Sequence, residues 1–436
     1  MNCSLLCQFI LVLLFSPGMM AQSAHEFPAY SGQALVPVVK VSSGRTIHRF
    51  FDTSPLSPSG RYLALFRFPQ ETRSPQPGEV GEVILVDRQT GQERVVAQSR
   101  GWEMQLGANV QWGRTDEELY FNDVDTTTWQ AFALQLNPLT GQARRMGGTV
   151  FMASPDGTKL ATYNLISSRR AQAGYGVVVP KDRVVRNVGP VEADGIDVVN
   201  TATGQAQRVV TIRRIYEKTV PSIAIANPQE FEYYCFQVKW NPQGTRLLTT
   251  MQWAPLTGGP RRRAVITMRP DGSDLRTAIT PDQWAKGGHH INWTPDGEHL
   301  SMNLNVDGKP GLEIITVRYD GSDLKTVFSP GSGHPSFQTG GLPFMVTDAY
   351  PGELGLTEGS VPIRLMNVQT GTEQTLVSIF LSKAEGEFRI DAHPAWDRSG
   401  RYVIFNGFTD GTRGVFLADV TKLLGLPAPK AVSGGR

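Results

Sequence analysis

A chain of 436 residues with 42 basic and 40 acidic side chains carries a net charge of only +2. It has no long basic run, which excludes the concentrated positive face that nucleic-acid binding requires. Its 45 glycines and 29 prolines stand among short runs of β-branched and aromatic residues, a composition that suits strands joined by tight turns and excludes a helical bundle.

The first predicted element is a leader. Residues 1–21 read as a secretory signal peptide, in which Leu5–Phe15 is apolar but too short to span a bilayer and Met19-Met20-Ala21 precedes a polar stretch. Once the leader is removed, Cys235 is the remaining cysteine and no intrachain disulfide can form. No later segment is long and apolar enough to cross a membrane, so a periplasmic or secreted location is expected. Residues 22–44 read as an N-terminal arm.

From residue 45 to residue 425 one motif governs the chain. A short turn returns at Ser57–Gly60, Gly113–Asp116, Ser154–Gly157, Asn241–Gly244, Thr294–Gly297, Gln338–Gly341 and Asp397–Gly400. An aromatic or apolar residue precedes each copy and a strand-like run follows. A second turn alternates with the first, at Arg88–Gln92, Pro138–Gln142, Thr201–Gln205, Pro270–Asp274, Tyr319–Asp323 and Val368–Thr372, with Asp419-Val420-Thr421 in the last place. Repeats of this length built from short strands predict an all-β fold, a single seven-bladed β-propeller over 45–425. The degenerate turns at Gly113 and Gln338 leave a six-bladed ring as the alternative. The blades fall near 48–98, 104–147, 148–215, 230–283, 287–330, 333–383 and 390–425. Blade three carries an insertion at Ser167–Ala193, a loop at Tyr216–Gln229 precedes blade four, and 426–436 reads as a tail.

The repeat also aligns side chains around the channel. The residues before the first turn are Leu56, Trp112, Ala153, Trp240, Trp293, Phe337 and Trp396. Three positions earlier stand Thr53, Asn109, Val150, Gln237, His290, His334 and His393. Equal register places them at equal height on the innermost strands. Four consecutive blades thus offer Gln237, His290, His334 and His393 in a chain with seven histidines in all. Imidazoles suit a transition metal, and a Gln oxygen tilts the choice toward a harder ion such as Mn²⁺.

Three residues nearby are candidate catalytic groups. His289 adjoins His290, although strand alternation turns it away unless the Gly287-Gly288 lead-in allows a bulge. His48 and Arg49 open blade one, beside blade seven once the ring closes. Tyr350 is a further candidate, and Asp391 could orient His393. The chain has no G-x-S-x-G, H-E-x-x-H, phosphate loop or C-x-x-C.

The Trp293-Thr-Pro-Asp-Gly, Ser154-Pro-Asp-Gly and His393-Pro-Ala-Trp-Asp-Arg-Ser-Gly copies resemble TolB-type propeller repeats. Gly288-His-His-Ile-Asn-Trp, Gly333-His-Pro-Ser-Phe and Asp391-Ala-His-Pro-Ala-Trp together resemble the oligogalacturonate lyase family. That resemblance implies a Mn²⁺-like ion held by three histidines and a glutamine. It further implies metal-assisted β-elimination on a uronate-containing acidic oligosaccharide, with a base and a carboxylate-binding arginine. The TolB likeness implies the alternative, a non-catalytic periplasmic scaffold that binds protein partners.

Overall fold

The computed structural model describes residues 25–427 except 351, 357, 358 and 383. The leader at 1–21 and most of the tail at 426–436 therefore lie outside the described residues.

Seven four-stranded sheets form the molecule, and every strand pair within them is antiparallel. This is the seven-bladed ring, and it removes the six-bladed alternative. Six blades run in simple chain order, for example Gln111–Trp112, Leu119–Asp125, Gln130–Leu136 and Ala143–Arg145 in blade two. The first of these strands is buried and the last fully exposed, so each blade starts at the channel and ends at the rim. The first kind of turn joins strands one and two, and the second kind joins strands three and four.

Blade seven differs. Its own segment supplies Ala395–Trp396, Tyr402–Thr409 and Thr412–Asp419, and the outer strand is Val38–Lys40. Val38 pairs with Ala418 and Lys40 with Phe416. The described part of the stretch 22–44, from residue 25 on, is therefore not an arm apart from the propeller. Strand Thr412–Asp419 would otherwise expose a full row of unpaired amides and carbonyls, and the N-terminal segment covers it. The Asp419-Val420-Thr421 sequence lacks the glycine of the other outer turns, and no further strand follows it among the described residues.

The tryptophans before the first turn lock the blades together. Each indole N–H donates to a backbone carbonyl of the preceding blade: Trp112 to Pro55, Trp240 to Met152, Trp293 to Lys239 and Trp396 to Ser336. The edges of buried rings are thus satisfied while their faces fill the seams. Apolar clusters bridge neighbouring blades in the same way, as where Tyr120, Ala133 and Met146 of blade two meet Val150, Leu160 and Val199 of blade three.

The two α-helices among the described residues are short, Ile212–Lys218 and Pro281–Ala285, each opened by a threonine that accepts from a backbone amide. The blade-three insertion folds over one mouth of the channel, with 3-10 turns at Ser167–Arg170 and Lys181–Arg183. It is pinned from several blades. The Glu103 carboxylate accepts from the Gly176 amide, the Gln105 amide donates to Gly174 at 3.2 Å, and Arg389 donates to the Ala173 carbonyl at 3.3 Å.

Candidate metal centre and active site

The innermost strands deliver the histidines through a shared backbone irregularity. Asn109, Gln237, His290 and His393 all have left-handed φ, between 50 and 60°. The pairing register skips at Gln237 and again between His289 and Asn292, which marks bulges. A left-handed residue that is not glycine costs about 1–3 kcal/mol and tends to persist where function or packing demands it. In blade six the left-handed residue is Gly333, one position earlier, and His334 follows it.

Three imidazoles meet as a result. The ring of His334 lies 3.8 Å from that of His290 and 4.4 Å from that of His393, centre to centre. The Nδ1 of His334 sits 2.8 Å from Asp348, whose carboxylate also accepts from the His334 amide at 2.7 Å. The Nδ1 of His290 sits 2.9 Å from the Gly333 carbonyl. Both Nδ1 atoms therefore carry the proton, and both Nε2 lone pairs are bare. Each Nε2 lies 3.5 Å from the Tyr350 hydroxyl, so the two converge. Both ring nitrogens of His393 are buried without a partner among the described residues. Ligand atoms of His334, His393 and Asp391 all lie within 4.8 Å of one another.

The electrostatics suit a cation. Burial pushes the His290 and His393 imidazoles well below the ordinary histidine range, and the neighbouring His334 pushes both further. Burial alone would raise the Asp348 carboxyl, but the charge and hydrogen bonds of His334 outweigh it and hold it below the usual range. Burial, with Asp391 and Asp348 beside it, lifts the Tyr350 phenol well above its ordinary value. The site thus offers neutral imidazoles at His290 and His393, an ionised Asp348 carboxylate and a protonated Tyr350 phenol.

The expected residues take different places. The bulge brings His289 to the cavity, where its Nδ1 lies 2.7 Å from the His290 Nδ1 and its Nε2 2.8 Å from Glu353. Gln237 lines the same cavity, of about 190 Å³, as His289 and His290. Asp391 is more than an orienting partner for His393, since it shares the three-residue cluster.

His48 and Arg49 do not fit the catalytic roles expected of them. His48 is 1% exposed, with both ring nitrogens unpartnered among the described residues, and its ring stands 6.5 Å from that of His393. Burial lowers its pKa to about 4. Arg49 is consumed by a buried network: it pairs with Asp52, donates to Thr53 at 2.9 Å and Asn109 at 3.2 Å, and reaches the Phe151 carbonyl at 2.6 Å. Lys239 joins from the other side, 3.1 Å from Asp52. Phe50 and Phe51 lie between this network and the histidines. Phe51 is 5.2 Å from the His334 ring, and Phe50 is 4.6 Å from the His393 ring. These two rings thus separate the polar network of blade one from the histidines.

Other residues come into view only here. Arg263 lines the cavity beside Gln237 and His290. Burial and the neighbouring Arg261 lower its pKa, and no carboxylate offsets them. Arg389 is held 3.1 Å from Asp391. Asp348 had a usable signal: the hairpin that pairs Ser336 with Val346 places His334 opposite Asp348. Glu353, Arg263 and Arg389 had none, because loops and blade-to-blade proximity bring them in.

No protein-family model matches the chain, and no curated protein matches it. Solved structures do. An oligogalacturonate lyase in complex with manganese aligns over 93% of this chain and 98% of its own, with 14% identity and a TM-score of 0.62. The oligogalacturonate lyase of Vibrio parahaemolyticus aligns over 91% and 98%, with 14% identity and a TM-score of 0.60. A puromycin hydrolase aligns over 91% of this chain and 55% of its own, with 12% identity and a TM-score of 0.50. At such identities the likeness is one of fold: the chain is a seven-bladed propeller similar along almost its whole length to structures of oligogalacturonate lyases.

Proposed function

We propose that this chain is an exported, metal-assisted lyase that cleaves uronate-containing oligosaccharides by β-elimination. The observation that carries the reading is the convergence of two tethered imidazoles and a third, unpartnered one. The donor set fits a divalent ion. His290, His334 and His393 would hold it with a carboxylate oxygen of Asp391, and Gln237 stands as a further donor on the cavity wall. A bound divalent ion, Mn²⁺ on the family resemblance, supplies Lewis-acid neutralisation of the substrate carboxylate.

The chain's own residues do the rest. Arg263, unpaired with any acid among the described residues, takes the uronate carboxylate and makes the C5 proton more acidic. His289, whose Nε2–H donates to the ionised Glu353, takes that proton on Nδ1, and the Glu353 carboxylate holds the resulting imidazolium as an ion pair. The C5–H electrons form the C4–C5 double bond as the C4–O4 bond breaks. Tyr350, kept protonated by burial, gives its proton to the departing O4.

The direct test incubates purified protein with pectic, ulvan-type and glycosaminoglycan fragments plus Mn²⁺. The expected result is the ultraviolet absorbance of an unsaturated uronate, abolished by chelator and by His289→Ala. Silence on every uronate with a fully loaded metal site would overturn the lyase and favour the scaffold reading.

Metal affinity carries a second expectation. Because His290 and His393 stay neutral well below the ordinary range, affinity should fall by less than about tenfold between about pH 8 and about pH 6. Three ordinary imidazoles with pKa ~6.5 would lose roughly 70-fold over the same range. Isothermal titration with Mn²⁺ at the two pH values distinguishes the cases.

A further inference from the structure

One wall of the cavity beside the histidines carries polar atoms that the elimination chemistry leaves unused. Strand Leu247–Pro255 of blade four builds it, and side chains two positions apart leave the same face of a strand. Thr250 and Gln252 therefore both line the cavity, together with His289, His290 and Arg263. Gln252 stands in a row across the blade, paired with Tyr234 on one side and Arg263 on the other. Neighbours in such a row lie within about 5.5 Å, Cβ to Cβ. The Tyr234 hydroxyl is already engaged, donating to Glu232 at 3.0 Å and accepting from Arg170 at 2.8 Å. Gln252 is not: it is 3% exposed, and its Oε1 is buried without a partner among the described residues. An enclosed carbonyl oxygen without a donor is costly, and such an atom in a cavity wall calls for a ligand or an ordered water to complete it.

The rest of the lining says which donor completes it. Arg263 is the one described lining residue with a fixed charge, and Gln172, Gln237, Thr250 and Gln252 are neutral. The wall thus answers a single carboxylate. A second anion on the same sugar, such as a sulfate ester, would find no further cation of the protein and would face the Gln252 carbonyl oxygen. A free hydroxyl would instead donate to that oxygen. Space agrees with charge. The cavity, of about 190 Å³, falls below the ~300 Å³ at which ordinary small-molecule sites begin, which leaves room for little beyond one sugar ring.

Resting on the lyase reading, we propose that Gln252 is a specificity residue that accepts a hydrogen bond from a ring hydroxyl of the uronate whose carboxylate Arg263 holds. The substrate class is then a uronate with that hydroxyl free, in preference to one O-sulfated or O-acetylated there. Titration calorimetry of the Mn²⁺-loaded protein with galacturonate, glucuronate and their 2-deoxy and 3-deoxy analogues tests this. These monomers carry no sugar at O4 to expel, so binding is read apart from cleavage. One deoxy analogue should bind roughly 5- to 100-fold more weakly than its parent acid, the consequence of leaving an enclosed acceptor unanswered. Gln252→Met keeps the length of the side chain and removes the amide. It should weaken the parent acid by a similar factor, leave that analogue within about twofold, and leave metal content unchanged. If the variant does not fold, the wild-type series decides alone. The Gln252-dependent pattern without cleavage of any uronate chain would remove the lyase and keep this assignment. No binding of either acid, equal binding of the parents and all deoxy analogues, or an equal loss on every sugar in Gln252→Met would overturn it, even where uronate chains are cleaved.

Discussion

His334→Ala and His393→Ala should each abolish bound metal and lower the elimination rate by at least roughly 10²- to 10³-fold, the scale of losing a principal electrostatic stabiliser. His334 is the middle ring of the three, and neither neighbour can replace its Nε2. Elemental analysis of purified protein reads the first effect, and a uronate assay with added Mn²⁺ reads the second. Asp348→Asn should do less. It keeps an acceptor for the His334 ring but removes the charge that sets its tautomer, so affinity should fall about 10- to 100-fold. Full metal content in His334→Ala would remove the site as described.

Glu103→Gln should make the protein more stable than wild type at neutral and mildly alkaline pH, and the gap should widen as pH rises. Burial lifts the Glu103 carboxyl from its ordinary 4.5 to about 8, against the lowering effect of the Gly176 amide. The folded state thus holds a proton that the unfolded state releases near 4.5, and it binds more protons throughout that window. Stability falls as pH rises through such a window, by up to about 5 kcal/mol for this one group. Glutamine keeps the acceptor for Gly176 and cannot ionise. Urea midpoints of the two proteins from about pH 5 to about pH 8 measure the difference, and comparison of the pair cancels every other titrating group. A constant gap would show that Glu103 ionises normally. The carboxyl also anchors the blade-three insertion over the channel, so its ionisation should loosen that cover first.

The sequence alone determined the architecture, because a propeller is written locally. The two turns in each blade demand glycine and short polar residues at fixed spacing, and the strands between them need only apolar alternation. The same register set Gln237, His290, His334 and His393 at equal positions of consecutive blades, and the ring then brought the three imidazoles together and Gln237 onto one cavity with His290. The register left the bulge at His289 conditional, because whether a strand alternates or skips depends on its partner strand. The tertiary structure decided what lies between blades and across the ring. Val38–Lys40 joins blade seven because an edge some 375 residues away needs a partner, a contact with no local signature. Arg49 became a structural cation once folding placed Asp52, Asn109 and the Phe151 carbonyl around it. Arg263 entered the cavity, Glu353 met His289 and Arg389 met Asp391 for the same reason. Sequence periodicity records which face a side chain leaves from, and only the closed ring decides what that face meets.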